Sequence, residues 1–150
     1  MVESKDIPMS QHSFEYDLFV IGGGSGGISA AKTATNLGKK VAIADFVQPT
    51  PSGTKWGLGG TCVNVGCIPK KMMHYAGLLS EAKHDLAVQG WNMDNMGTHD
   101  WEKMVKNVQG HVKGLNWGYK SELMKLKCKY FNYYATFVDA HTLLLDNGKD

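Results

Sequence analysis

Three glycines at the spacing G-x-G-x-x-G, namely Gly22, Gly24 and Gly27, directly follow the apolar run Tyr16 to Ile21 (YDLFVI). That run is short and partly β-branched, and reads as a buried strand. The stretch ISAAKTATNL after the glycines is rich in alanine and reads as a helix, with Gly38 ending it at the C′ position. Lys40 to Ala44 (KVAIA) is a second buried strand. Together they make a strand, turn, helix, strand unit of about thirty residues, expected to have parallel strands and a right-handed crossover. The fold class is therefore α/β, a Rossmann-like domain on a parallel sheet.

Each glycine of such a turn has a task. The first allows the tight bend, the second lets backbone approach a pyrophosphate, and the third lets helix and strand pack closely. The helix N-terminus supplies free N–H groups and a positive dipole end, with Ser25 and Gly26 at its start. Asp45 follows Gly27 by eighteen residues, at the end of the second strand, where a carboxylate can accept hydrogen bonds from ribose hydroxyls. The plain alternative is a glycine-rich turn that merely packs helix on sheet. The motif does not choose between FAD and NAD, but an acid at the ribose position repels a 2′-phosphate and disfavours NADP there.

Glycine is abundant for a reason confined to part of the chain: of 18 glycines, five lie in Gly22–Gly27 and five between Gly53 and Gly66. Four of the second group lie in FVQPTPSGTKWGLGG, in which two prolines and four glycines in fifteen residues forbid regular structure. Thr61 to Glu81 is mostly helical in pattern despite Pro69. A long helix is expected from Thr98 to about Lys125. Its apolar stripe is Trp101, Met104, Val105, Val108, Val112, Leu115 and Tyr119, with Lys103, Lys106 and Lys113 on the solvated side. KYFNYY, ATFVDA and HTLLL read as short strands, and Asp146-Asn147-Gly148 is a hairpin turn signal. That turn has a strand leading in and only two residues after it, so the chain reads as the front part of something longer. Residues 1–13 read as a loose tail, and 14–150 as the N-terminal part of one domain.

Charge and cysteine content exclude several classes. Sixteen cations against fourteen acids leave +2, and all sixteen are lysine. With no arginine, the usual bidentate reader of phosphate and guanine, nucleic acid is not an expected partner. No stretch approaches a membrane span. Three cysteines, Cys62, Cys67 and Cys128, are too few for a disulfide scaffold and no signal peptide precedes them, which points to a reducing compartment, the cytosol.

Cys62 and Cys67 stand five apart in GTCVNVGCIPKK. A regular helix would put them on different faces, about 7.5 Å apart along its axis. A disulfide therefore needs a distorted turn, which Gly66 and Pro69 favour, and an accessible, strained disulfide suits redox work. Two alternatives stay open on the residues alone: a pair of ordinary buried thiols, and a metal site with His74, although that spacing fits no familiar zinc pattern.

The stretch Trp56 to Lys71, WGLGGTCVNVGCIPKK, closely resembles the redox-active segment of the pyridine nucleotide-disulfide oxidoreductases. With the GGGSGG turn and the lead-in DF…PTP…GT…W, the chain from Phe14 to Asp150 resembles the N-terminal FAD-binding portion of the high-molecular-weight thioredoxin reductases. Glutathione reductases share the GGTCVNVGC core but usually have a shorter lead-in. The resemblance implies a parallel sheet with added short antiparallel strands, truncated before the NADPH and interface domains. It also implies cofactor contacts at Gly22, Gly24, Ser25, Gly26, Gly27, Asp45, Phe46, Gly60, Thr61, Cys62, Gly66, Cys67, Lys70 and, on a short match, Ala135. Cys67 would be the thiol nearest the flavin and Cys62 the interchange thiol of a redox disulfide. Lys70 would lie near the flavin N5, where positive charge favours the reduced ring. No task falls to Lys71, and Cys128 reads as a small buried or half-exposed thiol. The implied activity is NADPH-dependent reduction of thioredoxin through FAD and the Cys62–Cys67 pair, in a homodimer. Glutathione or thioredoxin-glutathione reductase is the neighbouring alternative, and a short flavin-binding protein without turnover is the non-enzymatic one.

Overall fold

The computed structural model describes residues 14–47, 56–94 and 97–146. The expected tail, the Pro49, Thr50, Pro51, Gly53 and Thr54 lead-in, and Asn147-Gly148 of the expected turn lie outside the described residues. In chain order come β1 (Leu18–Ile21), α1 (Ser25–Asn36), β2 (Val41–Ala44), α2 (Gly60–Asn64), α3 (Cys67–Val88), α4 (Trp101–Lys125), β3 (Lys129–Phe131), β4 (Tyr134–Phe137) and β5 (Leu143–Asp146). Strands β1, β2 and β3 form one parallel sheet in that order, with Val20 opposite Ile43 and Ile43 opposite Tyr130. β4 and β5 form a separate antiparallel pair.

The central strand is wholly buried, as its unbroken apolar sequence demands. Val41 and Ile43 point to a core shared with Ile28 and Ala31 of α1, Leu58, Leu123 of α4 and Cys128. On the opposite face, the small Ala42 and Ala44 leave room for rings from the outer strands: Phe19 stacks on Phe131 with centroids 6.0 Å apart, and Tyr16 meets both edge-on. A cleft of about 550 Å³ separates that aromatic face from the β4–β5 hairpin, lined by Phe19, Ile21, Phe137 and Leu143 among others.

β1 departs from the expectation of a buried strand. It stands at the sheet edge, and Leu18 and Ile21 are 37% and 46% exposed. An edge strand is covered on one side only, so an apolar run does not guarantee burial. Of the short strands expected after α4, β3 joins the parallel sheet beside β2, while β4 and β5 form the added antiparallel pair. Trp101 also leaves the stripe assigned to it: it opens α4 and is 62% exposed, whereas Val108, Val112 and Leu123 are the buried positions. Lys103, Lys106 and Lys113 are exposed as expected.

Gly38 ends α1 where its sequence signal puts it, while α4, expected from Thr98, begins at Trp101. Gly38 (φ +79°) closes α1 with Lys39 N–H donating to Ala34 O and Gly38 N–H to Thr35 O, the paired bonds of a Schellman cap. Asp100 caps α4 by accepting from the Lys103 N–H at 2.9 Å. Among the described residues no helix is long and apolar enough to cross a membrane.

Candidate functional site

All three parallel strands end on the same side, and the residues after each end converge there. After β1 comes the glycine turn. Gly22 has φ +103°, open to glycine and strained for other residues, and its N–H bonds the Ala44 carbonyl at 2.7 Å. A methyl group on Gly27 would collide with the Gly22 carbonyl oxygen and crowd Val20, so the third glycine is what lets α1 sit on β1. The first bond of α1 runs from Ile28 N–H to Gly24 O. The N–H groups of Ser25, Gly26 and Gly27 therefore precede the helical ladder, with no side-chain cap and no acid in the first turn. A built side chain at Gly26 or Gly22 would meet nothing within 4 Å, so backbone here is open to approach.

After β2 comes Asp45, whose N–H extends the ladder to Phe131 O at 3.0 Å. A side chain at Gly23 would lie 2.7 Å from Asp45 Cβ, so this middle glycine, which the G-x-G-x-x-G spacing leaves unspecified, is what brings the acid against the turn. After β3 comes the 132–135 segment. Asn132 Oδ1 accepts from Val47 N–H at 2.8 Å, and the Phe46 ring meets Tyr134 edge-on at 6.2 Å. Ala135 follows Tyr134 in β4, opposite Leu145.

The cysteine pair reaches the turn from the other side. Gly59 (φ +136°) and Gly60 (φ +70°) swing the chain into α2, and a methyl on Gly60 would lie 2.7 Å from Gly24 Cα. The two glycine groups of the sequence therefore meet backbone to backbone. α2 stops at Asn64 and α3 starts at Cys67, so the expected helix is broken at Val65-Gly66. The break brings the Cys62 and Cys67 Cα atoms to 4.7 Å, joined as a disulfide. Gly66 permits this approach, since a side chain there would be 3.1 Å from Cys62 Cα and 3.0 Å from the Thr61 carbonyl oxygen. Pro69 falls in the first turn of α3, where its missing N–H leaves no bond unmade. Cys62 is half-buried and Cys67 exposed. Lys70, exposed, lies three residues on, one helical turn from Cys67 and on its face. His74 does not complete a metal site: among the described residues no cluster of three His, Cys, Asp or Glu side chains forms.

The Trp56–Gly60 segment is held by two asparagines that sequence reasoning did not single out. Asn64 accepts from Gly57 N–H at 2.9 Å and donates to Gly57 O at 2.9 Å and Gly60 O at 2.8 Å. Asn116, on α4, donates to Leu58 O at 2.9 Å and to Asn64 Oδ1 at 3.2 Å. Asn64 stands inside the cysteine motif, where a polar residue between two cysteines is a signal of its own; Asn116, 52 residues away, carries no local signal. Tyr130 has none either. Its hydroxyl donates to the Asp45 carbonyl at 3.4 Å, and burial, then the Asp45 carboxylate, push its ionisation up to about 12. Cys128 is buried in the core, and burial raises its thiol pKa against the lowering effect of the Thr35 hydroxyl.

Known proteins share this arrangement of sequence. A model of the pyridine nucleotide-disulphide oxidoreductase family matches residues 16–148. Thioredoxin reductase SEP1 of Emiliania huxleyi is 58% identical over 135 residues, covering 90% of this chain but only 27% of that relative's length.

Proposed function

The chain belongs to the pyridine nucleotide-disulphide oxidoreductase family, and from that premise we propose that it is the FAD-binding front portion of an NADPH-dependent thioredoxin-disulfide reductase. The observation that carries the reading is the backbone contact of Gly24 with Gly60, which seats a disulfide-bearing helix pair against a pyrophosphate-type turn. The residues fit an FAD. The open glycine backbone and the uncommitted N–H groups of Ser25, Gly26 and Gly27 suit a pyrophosphate. Asp45 supplies the ribose acceptor, while Phe46 and the Ala135 backbone border the adenosine end. Gly60 and Thr61 line the middle of the cofactor, and Cys62, Gly66, Cys67 and Lys70 its redox end. When bound, FAD would supply two-electron transfer between a nicotinamide and a dithiol.

The chain's own chemistry is thiol–disulfide exchange. In the reduced pair, the Cys62 thiolate attacks one sulfur of an acceptor disulfide and expels the other as a thiolate, giving a mixed disulfide. The Cys67 thiolate then attacks Cys62 Sγ, restores the Cys62–Cys67 bond and releases the acceptor as a dithiol after protonation. Two electrons leave the protein and two protons end on the acceptor. The Lys70 ammonium, one helical turn from Cys67, would lie beside the bound flavin, where positive charge favours the reduced ring. The assignment of Cys62 rather than Cys67 as the attacking thiol follows the family resemblance, since Cys67 is the more exposed of the two in this structure. Asp45 and the absence of arginine argue that NADPH binds elsewhere in the complete protein, with thioredoxin as final acceptor, in a cytosolic homodimer.

The test is NADPH oxidation by the complete, flavin-loaded protein with thioredoxin or glutathione disulfide as acceptor. Thioredoxin-dependent turnover that disappears in Cys67→Ser is expected. Turnover with glutathione disulfide alone would overturn the thioredoxin assignment, and turnover that survives Cys67→Ser would overturn the role of the pair.

A further inference from the structure

The asparagine pair joins elements that the redox pair does not otherwise connect. Asn64 is the last residue of α2, two residues after Cys62, and Asn116 lies on α4, a helix fixed to the core through Val112 and Leu123. Every polar atom of the Asn64 amide is engaged: the oxygen accepts from Gly57 and Asn116, and the nitrogen donates to the Gly57 and Gly60 carbonyls. The fit is close, because a methyl on Gly57 would collide with the Asn116 side chain. On its far side the same segment abuts Gly24 through Gly60. The Trp56–Gly60 segment is thus clamped between α4 and the glycine turn, and α2 leaves from that clamp.

We infer that Asn116, acting through Asn64, is a positioning residue for the Cys62–Cys67 pair, and that it sets the thiol–disulfide equilibrium of the pair by holding Cys62 near Cys67 in the dithiol state as well. The inference rests on the reading of the pair as redox-active. When the disulfide is reduced, nothing covalent keeps the sulfurs together, and α2 is only five residues long. A clamp that fixes α2 keeps the two thiols at contact distance and favours re-formation of the bond, as any restraint that raises effective molarity does. Releasing the clamp lets α2 drift in the dithiol, which stabilises the reduced form.

The experiment equilibrates the full-length, flavin-loaded protein anaerobically with dithiothreitol and its oxidised form at set ratios, then alkylates the mixture and counts free Cys62 and Cys67 by mass spectrometry. The reaction balances: protein disulfide plus dithiothreitol gives protein dithiol plus oxidised dithiothreitol. Asn116→Ala is expected to move the equilibrium constant about tenfold toward the dithiol, the scale of losing two hydrogen bonds. Asn116→Asp, of the same shape but without the donor, should move it the same way and keeps the test open should the alanine variant misfold. Leu123→Ala, a cavity in the core of the same helix, should lower thermal stability and leave the constant within about twofold, which separates positioning from general loosening. Constants within about twofold of the parent for both Asn116 variants would overturn the inference. A parent protein whose pair does not exchange with dithiothreitol would instead overturn the redox reading, and the inference with it.

Discussion

Tyr130 lies in register with Ile43 on the central strand, and its hydroxyl reaches the Asp45 carbonyl at 3.4 Å. In an unfolded chain a tyrosine ionises near pH 10; here burial, and after it the Asp45 carboxylate, move that to about 12. The folded protein therefore favours the neutral phenol. Its contribution to stability is complete below about pH 10 and drains away as pH rises through about 12, because the unfolded state ionises first. Tyr130→Phe should flatten the loss of stability across that window in denaturant titrations run at successive pH values, and an unaltered slope would refute it. At the same scale, Gly27→Ala sets a methyl against the Gly22 carbonyl oxygen. A loss of about 1–3 kcal/mol, the usual cost of overpacking, is expected in thermal denaturation. Such single-residue demands are legible for Gly22, Gly24 and Gly27, whose spacing encodes a turn. They are not legible for Gly23, whose reason for having no side chain is Asp45, brought up only when β1 and β2 pair.

The helices show the same division between local and distant information. α4 announces itself through Asp100, whose carboxylate takes the Lys103 N–H, and through Glu102 near the positive pole of the helix. Asp100→Ala should cost about 1 kcal/mol in chemical denaturation, since it frees a donor at the N-terminus. An equal stability would mean that the cap is replaced by solvent. The end of α1 can be read from Gly38 because capping is a matter of three or four residues, whereas α4, expected from Thr98, begins at Trp101 after the Asp100 cap, which periodicity does not mark. The break between α2 and α3 is only half legible: Gly66 and Pro69 flag a distortion, but which residues leave the helix depends on the disulfide and on Asn64, whose partner Asn116 is remote in sequence. Trp101 departs from its stripe for a related reason. Periodicity identifies the stripe of a helix, but not how far along its length there is anything to pack against.

For the molecule as a whole, the parallel order of β1, β2 and β3 puts three strand ends in one row, and the site is assembled from the residues just beyond those ends. This is foreseeable for β1 and β2, joined by a helix of recognisable length. It is not for β3, which enters the sheet after two long helices. The exposed edge at Leu18 and Ile21 is a place where the whole-molecule packing overrides a strongly apolar sequence, as it does at Phe137 and Leu144 of the β4–β5 pair. Cysteine accessibility adds a property that concerns neither catalysis nor binding. With Cys62 and Cys67 joined and Cys128 buried at 4% exposure, the oxidised native chain offers no readily reactive thiol. Reduction should uncover two, and only global opening the third, because Cys128 lies among Ile28, Val41 and Leu123. Alkylation counted by mass should rise in those steps, and early labelling of Cys128 in the oxidised protein would contradict the packing of that core. The chain thus carries its own unfolding clock, a natural label that stays silent until the native state is lost.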